Sequence, residues 1–189
     1  MYLYQPCLLT MALYAWAFDR SHGKSRWMRV MALAVVLCIS EWELYFTRFY
    51  VYPASVLMAT ILLFEKKGPL AWAEVLTGAL LGGLLCWKVA DSWPLMPGLP
   101  LLCAALLLVP VVPLCQNRED RFLAIGLGGL FFELFFCLRE YMLFSFCVIR
   151  LGSREALSLS AASLCLYFVL ESIVQDIRAK AKGSLSAAN

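Results

Sequence analysis

The stretch 122–141 constrains this chain most, because it is apolar enough to cross a bilayer and yet carries a carboxylate well inside it. If the stretch is a helix, small and polar residues recur on one face at intervals of three or four residues. These residues are Gly126, Gly129, Glu133, Cys137 and Glu140. Glu133 then lies roughly 10 Å along the axis from Glu140. An ionisable group at that depth should face protein or water rather than lipid, so the helix needs neighbours.

The composition predicts an integral membrane protein. Of 189 residues, 62% are hydrophobic and 15% are charged, and the mean hydropathy is +0.77. Soluble domains are nearer half apolar and a quarter charged. The predicted fold class is therefore all-α, a polytopic transmembrane helix bundle forming one domain over 1–176. A basic cytoplasmic tail at 177–189 has the composition of a disordered segment.

About seven spans fit the apolar runs. They are 2–18, 27–46, 49–64, 70–90, 99–114, 122–141 and 155–174. The first lacks a basic leader and is expected to be retained, while Pro110 and Pro113 predict a kink or an early stop in the fifth. The connector EWELYFTRFYVYP is typical of an interfacial aromatic belt, and the count falls to six or five if the second and third spans do not both cross. The segment YMLFSFCVI is too short to span, and it either extends the sixth helix or lies in the interface.

Basic residues predict the orientation of the bundle. With the N-terminus outside and the C-terminus inside, the inner loops hold eleven of the 16 Lys and Arg residues. These positive charges are therefore interpreted as topology signals rather than as a nucleic-acid surface.

No catalytic or metal-binding motif is present in the sequence. It contains no GxSxG, HExxH or Walker loop, and the eight scattered cysteines form no CxxC. The single histidine, His22, lies in a basic inner loop far from the carboxylates. We therefore predict a protein that is not an enzyme, with no catalytic residue, cofactor or metal, and we expect the cysteines to be small core residues rather than a disulfide framework.

The candidates for ligand or proton binding are Glu133, Glu140, Glu41, Glu171 and Tyr167, and together with the packing glycines they fall into a few groups. Glu133 either binds a proton or a cation or, in the favoured interpretation, locks two helices together as a paired or neutral glutamate. The glycines Gly78, Gly82, Gly126 and Gly129 predict close helix packing. A polar stripe on the seventh helix comprises Ser160, Ser163, Tyr167, Glu171, Gln175 and Arg178, and it predicts contact with the sixth helix or a shared cavity. A ring of charge is expected at the outer side, comprising Glu41, Glu43, Arg48, Lys88, Asp91, Arg139 and Glu140, and it forms either a solvated rim or a site for a polar headgroup or peptide.

The C-terminal half resembles the YphA family, which consists of small multi-pass membrane proteins of endospore-forming Gram-positive bacteria. The features in common are a charged loop before a span (QNREDRFLAIGL), a glycine-containing helix with an inward glutamate (GGLFFELFF), and a last span that continues into a basic tail (YFVLESIVQDIRAKAK). The resemblance implies a protein of the cytoplasmic membrane. It transfers no catalytic residue, and only Glu133 falls on the family pattern.

Two functions follow as hypotheses. The leading one is a non-enzymatic protein of the bacterial cytoplasmic membrane that acts through the bilayer, a membrane-protein partner or a second copy, in envelope or sporulation physiology. The alternative is a small-solute transporter or substrate-binding subunit that uses an intramembrane carboxylate. In size it would resemble the substrate-capture components of energy-coupling-factor vitamin transporters, but Ala12, Ala15 and Ala17 do not give the AxxxA spacing of their first helix.

Overall fold

The computed structural model describes Cys7, Leu9 and residues 23–46, 49–64, 71–92, 99–144 and 149–186. Its helices are α1 (Gly23–Cys38), α2 (Pro53–Phe64), α3 (Trp72–Ser92), α4 (Leu99–Leu114), α5 (Arg118–Phe144) and α6 (Arg154–Ser186). Its strands are β1 (Leu44–Phe46), β2 (Phe49–Val51) and β3 (Ile149–Leu151). The described part of the chain is therefore mostly helical, as the composition predicts.

The helices form one bundle with two distinct ends. α3 packs against α4 and α5, α6 packs against α4 and α5, and α2 connects α1 to α5. The three strands lie at the end where α1, α3 and α5 finish and α2, α4 and α6 begin, which we call the sheet end. The other end, where α4 finishes and α5 begins, is called the far end.

In the part of the chain that the structure describes, three helices are long and apolar enough to cross a membrane: Trp72–Ser92, Arg118–Phe144 and the Arg154–Ile177 portion of α6. They correspond to the predicted fourth, sixth and seventh spans. α4 matches the predicted fifth span but has only 16 residues, and it continues past Pro110 and Pro113, so the early stop is not seen. These prolines lack the amide hydrogens that would bond the Leu106 and Val109 carbonyls, and α4 ends one residue after Pro113. α6 continues beyond its predicted end, and its backbone is helical into the basic tail as far as Ser186.

The second and third predicted spans are shorter as helices than the apolar runs indicate. α1 ends at Cys38 and α2 has 12 residues, which is ~18 Å of helix. Residues 44–46 and 49–51 are strands instead, so an exclusively helical fold is corrected here. The predicted first span lies outside the described residues except for Cys7 and Leu9, and His22, Arg48 and the connector 93–98 lie outside them entirely.

The strands form a small sheet of order β1-β2-β3. β1 and β2 pair antiparallel, with Tyr45 opposite Tyr50, while β2 and β3 pair parallel. Aromatic and β-branched residues favour this pleated conformation, since they pack well on a half-buried surface. Beyond the ladder, the Tyr52 amide donates to the Leu151 carbonyl at 3.1 Å. The Tyr52 hydroxyl donates to the Ser40 carbonyl, which ties the end of α1 to the sheet.

Glycines set the distances between α3, α4 and α5. The buried Leu107 side chain of α4 lies against Gly82 of α3 and Gly128 of α5, where an added Cβ would come within 2.5 Å and 2.4 Å of its Cδ1. At Gly83 of α3, a Cβ would lie 2.9 Å from the Gly128 carbonyl oxygen. Backbone therefore meets backbone between α3 and α5, and van der Waals contact replaces side-chain packing there.

We predict that Gly83→Ala lowers the free energy of unfolding by about 1–3 kcal/mol, because a methyl group there meets backbone atoms that cannot move independently. The measurement is reversible unfolding by sodium dodecyl sulfate in mixed micelles. Gly78→Ala is the matched control on the same helix, since its Cβ would make ordinary contacts of 3.5 Å or more. Equal effects of the two substitutions would contradict close backbone packing of α3 on α5.

Candidate functional site

Glu133 is buried and is held by the segment that leads into α6. Its side chain is 6% exposed, and its Oε2 accepts a hydrogen bond from the Ser153 hydroxyl at 2.7 Å. Ser153 also caps α6, because its Oγ accepts from the Ala156 amide at 3.0 Å. One serine hydroxyl therefore connects a carboxylate of α5 to the first turn of α6.

Arg150 of β3 lies between two carboxylates of α5. Its guanidinium is 4.0 Å from Glu133 and 3.4 Å from Glu140, and the Arg150 side chain is 43% exposed. The Arg150 amide also donates to the Cys137 sulfur at 3.4 Å. Cys137 and Glu140 belong to the same face of α5 as Glu133, so the polar stripe of this helix faces β3 and the start of α6.

The backbone turn before α6 depends on one glycine. Gly152 has φ +84°, a conformation that other residues rarely adopt, and a Cβ there would lie 1.8 Å from the Ser55 Oγ. The turn therefore lies directly on the first turn of α2. This close packing places Arg150 and Ser153 on the two sides of the turn, both directed at Glu133.

Further ion pairs surround this group at the sheet end. Arg154, at the first residue of α6, contacts Glu41 at 3.0 Å and Glu43 at 3.3 Å. Arg139 of α5 contacts Asp91 of α3 at 2.6 Å. Five of the charges expected at the outer side thus lie at one end of the bundle and pair with one another or with Arg150 and Arg154: Glu41, Glu43, Asp91, Arg139 and Glu140. Arg48 lies outside the described residues, and the Lys88 ammonium lies over the Trp87 ring, 5.8 Å from its centroid.

Two tyrosines of the sheet lie beside Glu43. A hydrogen bond from the Tyr45 hydroxyl to Glu43, 2.9 Å long, is the main reason that the pKa of Tyr45 is raised. Burial raises the pKa of Tyr50, and the nearby Glu43 carboxylate adds to this effect. Both phenols therefore stay protonated and act as hydrogen-bond donors at neutral pH.

Two of the predicted site residues lie at the far end instead. Arg118, at the start of α5, contacts Glu171 of α6 at 3.0 Å. Arg121 donates to the Tyr167 hydroxyl at 3.1 Å and to the Cys115 carbonyl at 2.7 Å. Glu171 and Tyr167 therefore join α5 to α6 near the far end, and they do not share a site with Glu133, Glu140 and Glu41.

Between these two ends, the polar stripes of α5 and α6 meet as the sequence predicts. Gly129 allows the close approach, since an added Cβ would lie 2.2 Å from the Ser160 Oγ and 2.7 Å from the Ala156 carbonyl oxygen. Ser163 does not face α5: its hydroxyl donates to the Leu159 carbonyl of its own helix at 2.7 Å and also lies 3.3 Å from the Ala104 carbonyl of α4. The polar residues of α6 therefore contact α5 at Ser160 and α4 at Ser163, rather than all facing α5.

Sequence reasoning missed the residues that hold Glu133. Ser153 carries a recognisable signal, because a serine directly before an apolar-periodic segment is a preferred N-cap. Gly152 precedes it, as expected of a tight turn. The pairing of Arg150 with Glu133 has no local signal, since it depends on the chain reversing between α5 and α6.

Comparison with known proteins adds no assignment. No protein-family model matches the chain, and neither the curated proteins nor the solved structures include a significant match. The resemblance to the YphA family therefore stays a prediction. Among the described residues, no group of three His, Cys, Asp or Glu side chains is placed to hold a metal ion.

We predict that Ser153→Ala lowers the free energy of unfolding by about 1–3 kcal/mol, because it removes the cap of α6 and one donor to a buried carboxylate. The same sodium dodecyl sulfate titration measures this loss. Ser172→Ala, at an exposed position of the same helix, is the control and should change the value by less than ~0.5 kcal/mol. Indistinguishable results for the two variants would show that Ser153 does not support Glu133.

Proposed function

We propose that this chain is a non-enzymatic, multi-pass protein of a bacterial cytoplasmic membrane that acts through partner molecules, in envelope or sporulation physiology. The observation that carries the proposal is the last turn of α5. Tyr141, Met142, Leu143 and Phe144 are 60%, 77%, 62% and 72% exposed. Four consecutive helical residues point in all directions around the axis. This turn is therefore apolar and exposed on every side within the described structure.

The length of α5 places this turn outside the hydrocarbon. From Arg118 to Glu140 the helix rises ~33 Å, which already exceeds a hydrocarbon core of ~30 Å. Residues 141–144 then extend into the headgroup region or beyond it. Trp42 and Tyr45, 63% and 71% exposed, lie at the same end. Apolar surface in that position favours contact with a protein partner, because lipid tails do not cover it.

The three strands also indicate that the sheet end lies at the membrane surface rather than within the hydrocarbon. Among the described residues, the three-stranded sheet has two edges with no further strand paired to them, and open edges are not found in lipid-exposed hydrocarbon. β1 forms one such edge. The sheet end therefore belongs at a membrane surface, and Glu133 lies ~10 Å deeper than Glu140.

The proposed topology has seven spans, with the N-terminus outside and the C-terminus inside. It puts the sheet end outside, where Arg139, Arg150 and Arg154 pair with carboxylates. The excess of basic residues then lies on the inner side. Because α1 and α2 are short, six or five spans remain the alternative, and the surface argued from α5 is the same in each.

The contacts of Glu133 give a small-solute carrier less support. A carrier needs a carboxylate that can exchange its partner for a solute, and such groups usually face a water-filled cavity. Here one carboxylate oxygen accepts from Ser153, and Arg150 is near the other. These internal contacts favour a locking role, in which the glutamate holds α5 and α6 together.

We predict that a photocrosslinking amino acid, p-benzoylphenylalanine, placed at Met142 captures a discrete protein partner in intact membranes. The mass of the adduct on a denaturing gel distinguishes a second copy of this chain from a different protein. The same probe at Leu80, an exposed position in the middle of α3, is the control and should react with lipid. Lipid adducts alone at both positions would contradict a protein partner at the sheet end.

A further inference from the structure

Two cysteines face each other across the contact between α3 and α4. The Cys86 thiol donates to the Cys103 carbonyl at 3.0 Å, and the Cys103 thiol lies 3.7 Å from the Cys86 carbonyl. Each side chain therefore points at the backbone of the other residue, across the contact between the two helices. Both residues are buried, at 0% and 5% exposed.

This reciprocal arrangement differs from that of other buried cysteines of the bundle. Cys115 and Cys137 have sulfurs near the carbonyls of Glu74 and Arg150, at 3.7 Å and 3.9 Å. A small apolar residue in a core accounts for contacts of that kind. It does not account for two cysteines on different helices whose sulfurs each approach the backbone of the other residue, which brings two thiols to one helix contact.

The surroundings of the pair determine which reagent can reach it. Cys86 lies in the apolar run of α3, between Leu85, which is 41% exposed, and the partly buried Trp87. A charged oxidant is excluded from such surroundings by the cost of losing its hydration. An apolar oxidant dissolved in the bilayer avoids this cost, and the exposed Leu85 lies next to Cys86 along α3.

We propose that Cys86 and Cys103 form a dithiol site that a lipid-soluble quinone oxidises to a disulfide linking α3 to α4. Both S–H bonds break and one S–S bond forms. The two electrons and two protons reduce the quinone to its quinol, so the reaction is balanced. A thiol-based reductant reverses it by thiol–disulfide exchange.

The position of the bond gives the site a structural consequence. Cys86 lies six residues before the end of α3, and Cys103 lies four residues after the start of α4. A disulfide would fix these two helices near the sheet end, where Asp91 of α3 pairs with Arg139 of α5. Oxidation would thus hold together the end of the bundle to which we assign partner contacts, although the dithiol site does not depend on that assignment.

The test uses the full chain, reduced and then placed in lipid nanodiscs with decylubiquinone, whose fully substituted ring cannot alkylate a thiol. After denaturation and labelling with a maleimide, peptide mass spectrometry maps each cysteine. We expect Cys86 and Cys103 to remain unlabelled in most chains, because their sulfurs are already bonded to each other. The digest should then contain a peptide pair joined through these residues. Treatment with dithiothreitol should restore both labels.

Two variants and an internal comparison sharpen the result. Cys103→Ala should abolish the joined peptide, whereas Cys115→Ala should leave its yield unchanged. Cys7 and Cys165 form a second neighbouring pair and are more exposed. The peptide mapping must therefore distinguish a bond between those two residues from one between Cys86 and Cys103. Full labelling of Cys86 and Cys103 after quinone treatment of the unmodified sequence, or joined peptides from Cys7 and Cys165 alone, would overturn the proposal. Because that result comes from the unmodified chain, it does not depend on whether a variant folds.

Discussion

The hydrogen bond from Ser153 to Glu133 is the interaction on which the arrangement of α5 and α6 depends. A carboxyl group that is almost entirely buried costs free energy unless hydrogen-bonding partners replace water. Ser153 supplies one partner while it caps α6, so the same hydroxyl satisfies the acid and begins the helix. Gly129 has no side chain, so the two helices can approach each other closely at this position. The acid, the cap and the close approach therefore require one another.

The sheet end follows from this interaction. For Ser153 to reach Glu133, the chain must turn back immediately after α5, and β3 is the extended segment that makes the return. β3 pairs with β2, and the turn at Gly152 packs on α2, so the N-terminal hairpin is fixed against the C-terminal half. Arg150 and Arg154 flank the turn and pair with carboxylates from α5 and from the residues before β1. A polar end is thus built around one buried acid, and it leaves the last turn of α5 exposed.

Local pattern was sufficient for much of the bundle. The apolar runs located α3, α4, α5 and α6, and the three-to-four spacing of Gly129 and Glu133 placed them on the face of α5 that meets α6. Local pattern was insufficient wherever the outcome depended on contacts between distant segments. The aromatic run before α2 was interpreted as an interfacial belt, but its folding into strands had no local signal, because it depends on β3 being available to pair with it. Glu171 and Tyr167 share a helix face with Ser160, but at ~1.5 Å per residue they lie too far along α6 to join Glu133.

A double-mutant cycle tests the central claim most directly. The free energy of unfolding would be measured for the unmodified chain, Glu133→Gln, Ser153→Ala and the double variant. If the serine hydroxyl and the carboxyl group support each other, the double variant should lose less free energy of unfolding than the sum of the two single losses. The expected difference is about 0.5–3 kcal/mol. Losses that add to within ~0.3 kcal/mol would contradict the account, because they would show that the two side chains act independently.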